Sequence, residues 1–337
     1  MKILHMLLTV FCLVVFLGTS ACQKNSEDRP GTGSRRLSVV TSLFPVYDFS
    51  RQVARDKADV ILLLPPGTEP HSFDPRPADI ITLSHADLFF YTNIYMEPWV
   101  QKILTGISNS NLLAVDTSRG IQLANRSEAP HEEEDHSAGA APSPARQTAQ
   151  ASPGVHGHEH DGMDPHMWLD PAYAIKMVEN IRDGLISKDP QNRTFYTANA
   201  VAYIKQLATM DDRYKTSLAS CRKKVFVTGG HFTFGYRARR YGLEFVSAYG
   251  LSPNSQPTPG ALAKVTRTLR ANGLQHVFFE ELITPRVAET ISRESGAELL
   301  MLHGGHNISK DEFRQGVTFL SLMEANLVNL MIGLQCG

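Results

Sequence analysis

The sequence predicts an α/β fold of two lobes, each a four-stranded parallel sheet flanked by helices, joined by a long rigid helix. Three observations predict it. Eight short apolar runs alternate with segments of helical spacing, the runs fall into two sets of four, and a strand-free stretch separates the sets. Runs that are apolar throughout, rather than at alternate positions, suit strands covered on both faces, as in a parallel sheet. At 337 residues the chain is long enough to give each lobe its own core.

At the N-terminus, Lys2 precedes an apolar run from Ile3 through Leu17, then Gly18, Thr19, Ser20, Ala21 and Cys22. The short run and its small-residue end read as a secretory signal, and the run falls short of the roughly 20 apolar residues of a membrane span. Export is therefore expected. The small residues before Cys22 resemble a bacterial lipobox, in which that cysteine becomes the lipidated first residue, although Thr19 stands where leucine is usual. An acylated terminus followed by a flexible tether would keep the folded part near a membrane partner. The expected organisation is a signal peptide at 1–22, a tether at 23–36, an N-terminal lobe at 37–170, a helical segment at 171–220 and a C-terminal lobe at 221–337.

The first four strands are expected at Leu37 to Thr41, Val60 to Leu64, Leu88 to Tyr91 and Leu112 to Val115. The second four are expected at Val225 to Thr228, Glu244 to Ala248, His276 to Phe279 and Leu299 to Leu302. Between the sets, Pro171 to Ala219 places Ala202, Ile204, Leu207, Met210, Tyr214 and Leu218 at three- and four-residue spacing, the signature of a long helix or a helix pair. Such a bridge predicts limited hinge opening. Residues 127–163 break the pattern, being built from Ala, Pro, Ser, Gly, Glu, Asp and His. They cannot bury enough apolar surface to offset the entropy of ordering, so a mobile loop is expected. Its His131, His136, His156, His158 and His160, interleaved with carboxylates, would make a weak metal-collecting patch.

Composition excludes some functions. With 33 Lys and Arg against 34 Asp and Glu, a net charge of -1 offers nothing to a phosphate backbone, so no nucleic-acid partner is expected. Cys12 leaves with the signal and Cys22 would carry lipid, leaving Cys221 and Cys336. An oxidising compartment permits a disulfide between them. Neither sits in a Cys-x-x-Cys pair or beside a histidine, so neither is expected to bind metal.

The 13 histidines are the unusual feature. His71, His166, His231 and His303 lie at or shortly past predicted strand ends, or in the loop opening the bridge. Ligands in open α/β sheets bind beyond those ends, so two facing lobes would bring the four imidazoles together. Neutral imidazole suits Zn²⁺, which takes four such donors tetrahedrally at about 2.0–2.1 Å, whereas manganese prefers more carboxylate oxygen. A filled tetrahedron leaves no position for a reactive water, and there is no His-Glu-x-x-His helix, so no enzymatic activity is expected.

From Leu37 to about Leu334 the chain resembles the zinc/manganese solute-binding proteins of ABC transporters. The matching stretches are Val39 to Asp48, Pro65-Pro-Gly-Thr-Glu-Pro-His71, Asp164-Pro-His-Met-Trp-Leu-Asp170, His231 to Tyr236, Gly250-Leu-Ser-Pro253 and Phe279-Glu-Glu281. The resemblance implies that His71 and His166 are ligands from the N-terminal lobe and His231 the first from the C-terminal lobe. At the fourth position, where much of the family has aspartate, this sequence has His303 with His306 three residues on. His303 is favoured because it directly ends its strand. His306 is its competitor, and a three-histidine site completed by water or Glu69 is the remaining arrangement. Glu69, Asp164 and Glu280 are the carboxylates expected to support the ligands, with an ordinary cap or surface role as the alternative for each. His85 and His276 are expected to be structural, and Trp168 to pack, walling the site. The implied function is capture of Zn²⁺ outside the cytoplasmic membrane and delivery to an ABC permease, by a membrane-anchored monomer. A manganese-binding member of the family and a metal-binding surface adhesin are the alternatives.

Overall fold

All eight apolar runs form strands in the computed structural model, which describes residues 35–125, 162–251, 257–282 and 284–337. The first sheet contains β1 (Leu37–Thr41), β2 (Ala58–Leu62), β3 (Leu88–Tyr91) and β4 (Leu113–Asp116), parallel in the order β2-β1-β3-β4. The second contains β5 (Val225–Thr228), β6 (Glu244–Ser247), β7 (His276–Phe279) and β8 (Glu298–Met301), parallel in the order β6-β5-β7-β8. The two orders are the same pattern repeated. β2 starts before its apolar run because Ala58 and Asp59 pair with Leu37 and Ser38, and Asp59 faces solvent on this edge strand. Hydropathy alone has no access to that register.

Helices α1 (Phe44–Ala54), α2 (Pro77–Ser84) and α3 (Trp99–Gly106) connect the first four strands. The strand-free stretch is a helix pair: α4 (Pro171–Lys188), a short 3-10 turn (Pro190–Asn192) and α5 (Arg193–Ala219). Asp170 caps α4 by accepting from Ala172 N at 2.8 Å, and Pro171 occupies the first turn, where its missing N–H costs nothing. Pro190 stops the run, since it cannot donate to the preceding turn. The 27 residues of α5 extend about 40 Å. The helix binds both halves: Tyr203 Oη donates to Asp48 Oδ2 of α1 at 3.2 Å, and Tyr214 Oη donates to the Met323 carbonyl at 2.5 Å.

The second half continues with α6 (Gly235–Arg240), α7 (Pro259–Ala271), α8 (Arg286–Ser295), α9 (Lys310–Gln315) and α10 (Phe319–Gly333). Cys221 and Cys336 form a disulfide that ties the chain just past α5 to the chain end 115 residues later. Cys22 and the loop residues His131, His136, His156, His158 and His160 lie outside the described residues.

Candidate metal centre

In each sheet the chain passes to one side of an inner strand and then returns to the other, opening a crevice at the C-terminal strand ends between β1 and β3 and between β5 and β7. Four imidazoles meet between these ends: His71, His166, His231 and His306. His71 follows β2 on a single 3-10 turn (Pro70–Ser72), whose amides His71 N and Ser72 N donate to the Glu69 carboxylate at 3.0 and 2.9 Å. Glu69 is thus a cap that shapes the turn. His166 is fully buried, and its own loop supplies the carboxylate behind it: Asp164 Oδ1 accepts from His166 N at 3.0 Å and lies 2.8 Å from Nδ1.

His231 follows β5 across Gly229 and Gly230. Its Nδ1 lies 2.8 Å from Glu280 Oε2, which also accepts from Thr233 Oγ1 at 2.8 Å. A methyl group at Gly230 would overlap the Glu280 carboxylate, so the close approach of this loop to β7 requires glycine. His306 arrives from beyond β8, with Nδ1 3.6 Å from Glu281 Oε1. Trp168 is fully buried and walls the cluster, its ring centroid 5.5 Å from that of His166 and 5.3 Å from that of His306.

The six distances between the four ring centroids run only from 5.0 to 5.7 Å. A square would have two diagonals clearly longer than its sides; near-equal distances describe a tetrahedron. The nitrogen spacing matches as well. Donors about 2.0–2.1 Å from a tetrahedral zinc stand about 3.3–3.4 Å apart. His166 Nε2 lies 3.3 Å from Nε2 of His71 and 3.3 Å from Nε2 of His231. Among the described residues no protein atom hydrogen-bonds the buried His306 Nε2. Burial, reinforced by His306, His231 and His71, holds the His166 imidazole well below its usual range, in the neutral form that binds metal. Burial pushes the Glu281 carboxyl up, but His303, His306 and the Gly304 N–H outweigh it and hold the group at about 2.

At the fourth position the structure brings His306, the competitor, and not the favoured His303, to the other three imidazoles. His303 does not join the cluster. Asn326 holds its main chain on both sides, Oδ1 accepting from His303 N and Nδ2 donating to His303 O, each at 2.7 Å. Its Nδ1 accepts from Gly305 N at 2.9 Å and lies 3.3 Å from Glu281 Oε1, while Nε2 points toward Glu312, 3.9 Å from Oε1. The strand does aim its end at the cleft, but the chain must pass the Gly304-Gly305 turn before a side chain reaches the other three imidazoles. Glu281 escaped the sequence reading too; its signal was its place beside Glu280, directly past a strand end. His276 lies on β7, 3.7 Å from Glu298, and His85 ends α2; neither belongs to the cluster.

Two like sheets facing a closed, four-imidazole cluster across a helical bridge define a two-lobed receptor of metal-binding type. Residues 39–332 match the ZnuA family model, described as zinc-uptake complex component A, periplasmic, and the chain belongs to that family. It is 37% identical to the high-affinity zinc uptake system protein ZnuA of Bacillus subtilis over 324 residues, covering 96% of this chain and 94% of that protein. It is 34% identical to the zinc-binding lipoprotein AdcA of Streptococcus pneumoniae, covering 97% of this chain but 60% of that longer protein. The crystal structure of the Zn(II)-bound ZnuA-like domain of S. pneumoniae AdcA superposes with a TM-score of 0.69 at 32% identity, covering 89% of this chain and 99% of that domain.

Proposed function

We propose that this protein captures Zn²⁺ outside the cytoplasmic membrane with His71, His166, His231 and His306 and delivers it, chemically unchanged, to an ABC permease. The observation that carries the reading is the 3.3 Å spacing of facing Nε2 atoms within a near-regular tetrahedron of rings. Four neutral donors leave the ion's charge uncompensated in the first coordination sphere. Asp164, Glu280 and Glu281, each behind one imidazole, orient the rings and supply the opposing charge. Closed coordination fits a carrier rather than a hydrolase. An all-nitrogen donor set favours zinc over manganese, and nothing in the site favours an adhesin role. Membrane anchoring through Cys22, action as a monomer and ion collection by the histidine-rich loop complete the proposal.

The test is zinc titration of the purified mature protein and its single His→Ala variants. Alanine at His71, His166, His231 or His306 is expected to weaken stoichiometric zinc binding by at least about 100-fold, the loss of one of four metal bonds. His303→Ala is expected to stay within about 10-fold of the parent, below the roughly 10–100-fold cost of removing a group that bonds a metal ligand directly, since His303 touches Glu281 rather than the cluster. Full-affinity binding by the His306→Ala variant would sink the ligand assignment.

A further inference from the structure

His306 belongs by sequence to the second half of the chain, yet its main chain is bonded to the first half. Before the turn Gly304 is held by the C-terminal half, its N–H donating to Glu281 Oε2 at 2.7 Å, and α10 later returns to that half through Asn326 and Asn329. A methyl group at Gly304 would overlap the His306 ring, and Gly305 has φ +71°, so the pair forms a turn open only to glycine. Beyond it the partners change sides. Trp168 Nε1 donates to Gly304 O at 2.8 Å, Phe44 N to His306 O at 3.2 Å, and Gly67 N to Ile308 O at 2.8 Å. Farther on, Phe319 N donates to Asp48 Oδ2 at 3.1 Å.

At the centre is Asn307, fully buried. Its Nδ2 donates to Pro65 O at 2.8 Å and to Thr68 O at 2.9 Å, while its Oδ1 accepts from Ile308 N at 2.9 Å. Pro65 and Thr68 lie in the loop that carries His71, so one carboxamide joins the loops of two proposed ligands. His231 is held differently, by its own half: Gly229 N donates to Phe278 O at 2.9 Å, Tyr249 N to Gly230 O at 3.2 Å and Phe232 N to Gly250 O at 2.7 Å. Against these, the C-terminal contact to the His306 ring is Glu281 at 3.6 Å.

We propose that Asn307 is a positioning residue that makes His306 mechanically part of the N-terminal half, so that opening withdraws His231 from the other three ligands. The inference rests on the zinc-capture reading and adds the order of release. A division of three ligands against one leaves the ion on the N-terminal half as the cleft opens. Bridge-side contacts between Arg240 and Asp170, at 2.9 Å, and from Tyr236 Oη to Asp164 O, at 2.8 Å, remain as the pivot.

The experiment is pulsed electron spin resonance on the mature protein, with nitroxides at exposed positions. One doubly labelled protein carries Lys102→Cys and Lys264→Cys; the other carries Lys102→Cys and Gln315→Cys. On removal of zinc, the distance from α3 to α7 is expected to change while that from α3 to α9 stays fixed. Both distances changing together, or neither changing, overturns the inference. Failure to bind zinc in a parallel titration takes down the functional reading and this one with it, so the two failures are distinguishable. In addition, Asn307→Ala is expected to raise the rate of zinc loss to a chelator about 10-fold with the association rate unchanged, as for one lost buried amide pair. An unchanged loss rate in a folded variant counts against Asn307.

Discussion

Corresponding places in the two sheets hold buried carboxyl groups that do opposite work. The strand order is the same in both, so β3 and β7 are counterparts. Past β3 comes Glu97, which accepts from Ser42 Oγ at 2.5 Å, Thr92 N at 3.1 Å and Asn93 N at 2.9 Å. Past β7 come Glu280 and Glu281, which face imidazoles. Burial raises the Glu97 carboxyl from 4.5 to about 7 despite its three donors, whereas Glu281 sits at about 2. Hydroxyl and amide donors only partly replace lost water at Glu97, while at Glu281 the contacts with His303, His306 and the Gly304 N–H outweigh burial. Past β3 the buried acid therefore braces a loop, while past β7 two buried acids back imidazoles of the cluster, the task that Asp164 performs for His166 in the first half. The brace reaches the site at one remove, because Asn93 Nδ2 donates to Pro165 O at 3.2 Å, one residue before His166.

The largest expected effect separates the two tasks. Glu280→Gln and Glu281→Gln should each weaken zinc binding by about 10–100-fold, the range for carboxylates behind metal-bound histidines. Glu97→Gln should leave zinc affinity within about 3-fold, since its partners are structural. Competition titration against a chelator of known affinity measures all three. Equal losses in the three variants would erase the distinction between bracing a loop and backing an imidazole.

The next effect lies in stability. Because the folded-state value of Glu97 is raised, its protonated form contributes stability that is full below 4.5 and is lost as the pH rises through about 7. The loss is up to about 3 kcal/mol, from about 1.4 kcal/mol per unit. Glu97→Gln stays neutral throughout, so between pH 5 and 8 its unfolding midpoint in urea should fall less than the parent's. Parallel profiles for parent and variant would show that the carboxyl does not titrate in this window.

Much of this architecture is legible in sequence because the interactions that set it are local. Continuous apolar runs mark strands buried on both faces, and the spacing of Leu207, Met210, Tyr214 and Leu218 marks the buried face of α5. His71, His166 and His231 announce themselves by following strands or opening the bridge. What escapes is whatever depends on partners distant in the chain. His303 and His306 have similar local sequence; Asn326 holds one back, and Phe44, Pro65 and Thr68 draw the other's loop to the opposite half. Glu280 and Glu281 likewise look interchangeable until the chain turns as it leaves β7 and sends one toward His231 and the other toward His303 and His306.

The smallest effect gives the finest test, because the two halves share one further device: a buried hydroxyl donating to the buried acid. Ser42 serves Glu97, and Thr233 serves Glu280. Ser42→Ala should lower stability by about 1 kcal/mol without changing zinc affinity, the usual cost of one buried hydrogen bond. Thr233→Val keeps the shape and removes the hydroxyl, and should weaken zinc about 3–10-fold, with Thr233→Ser restoring affinity. Thr233 Oγ1 also lies 2.8 Å from His231 Nε2, a nitrogen facing the cluster. A loss in Thr233→Val as large as that in Glu280→Gln would therefore mean that the hydroxyl meets the ion itself rather than steadying the carboxylate. Chelator competition at one pH on Thr233→Val, Glu280→Gln and the double variant Thr233→Val/Glu280→Gln decides between these roles, since a hydroxyl that acts only through Glu280 has no effect left to exert once Glu280 is glutamine.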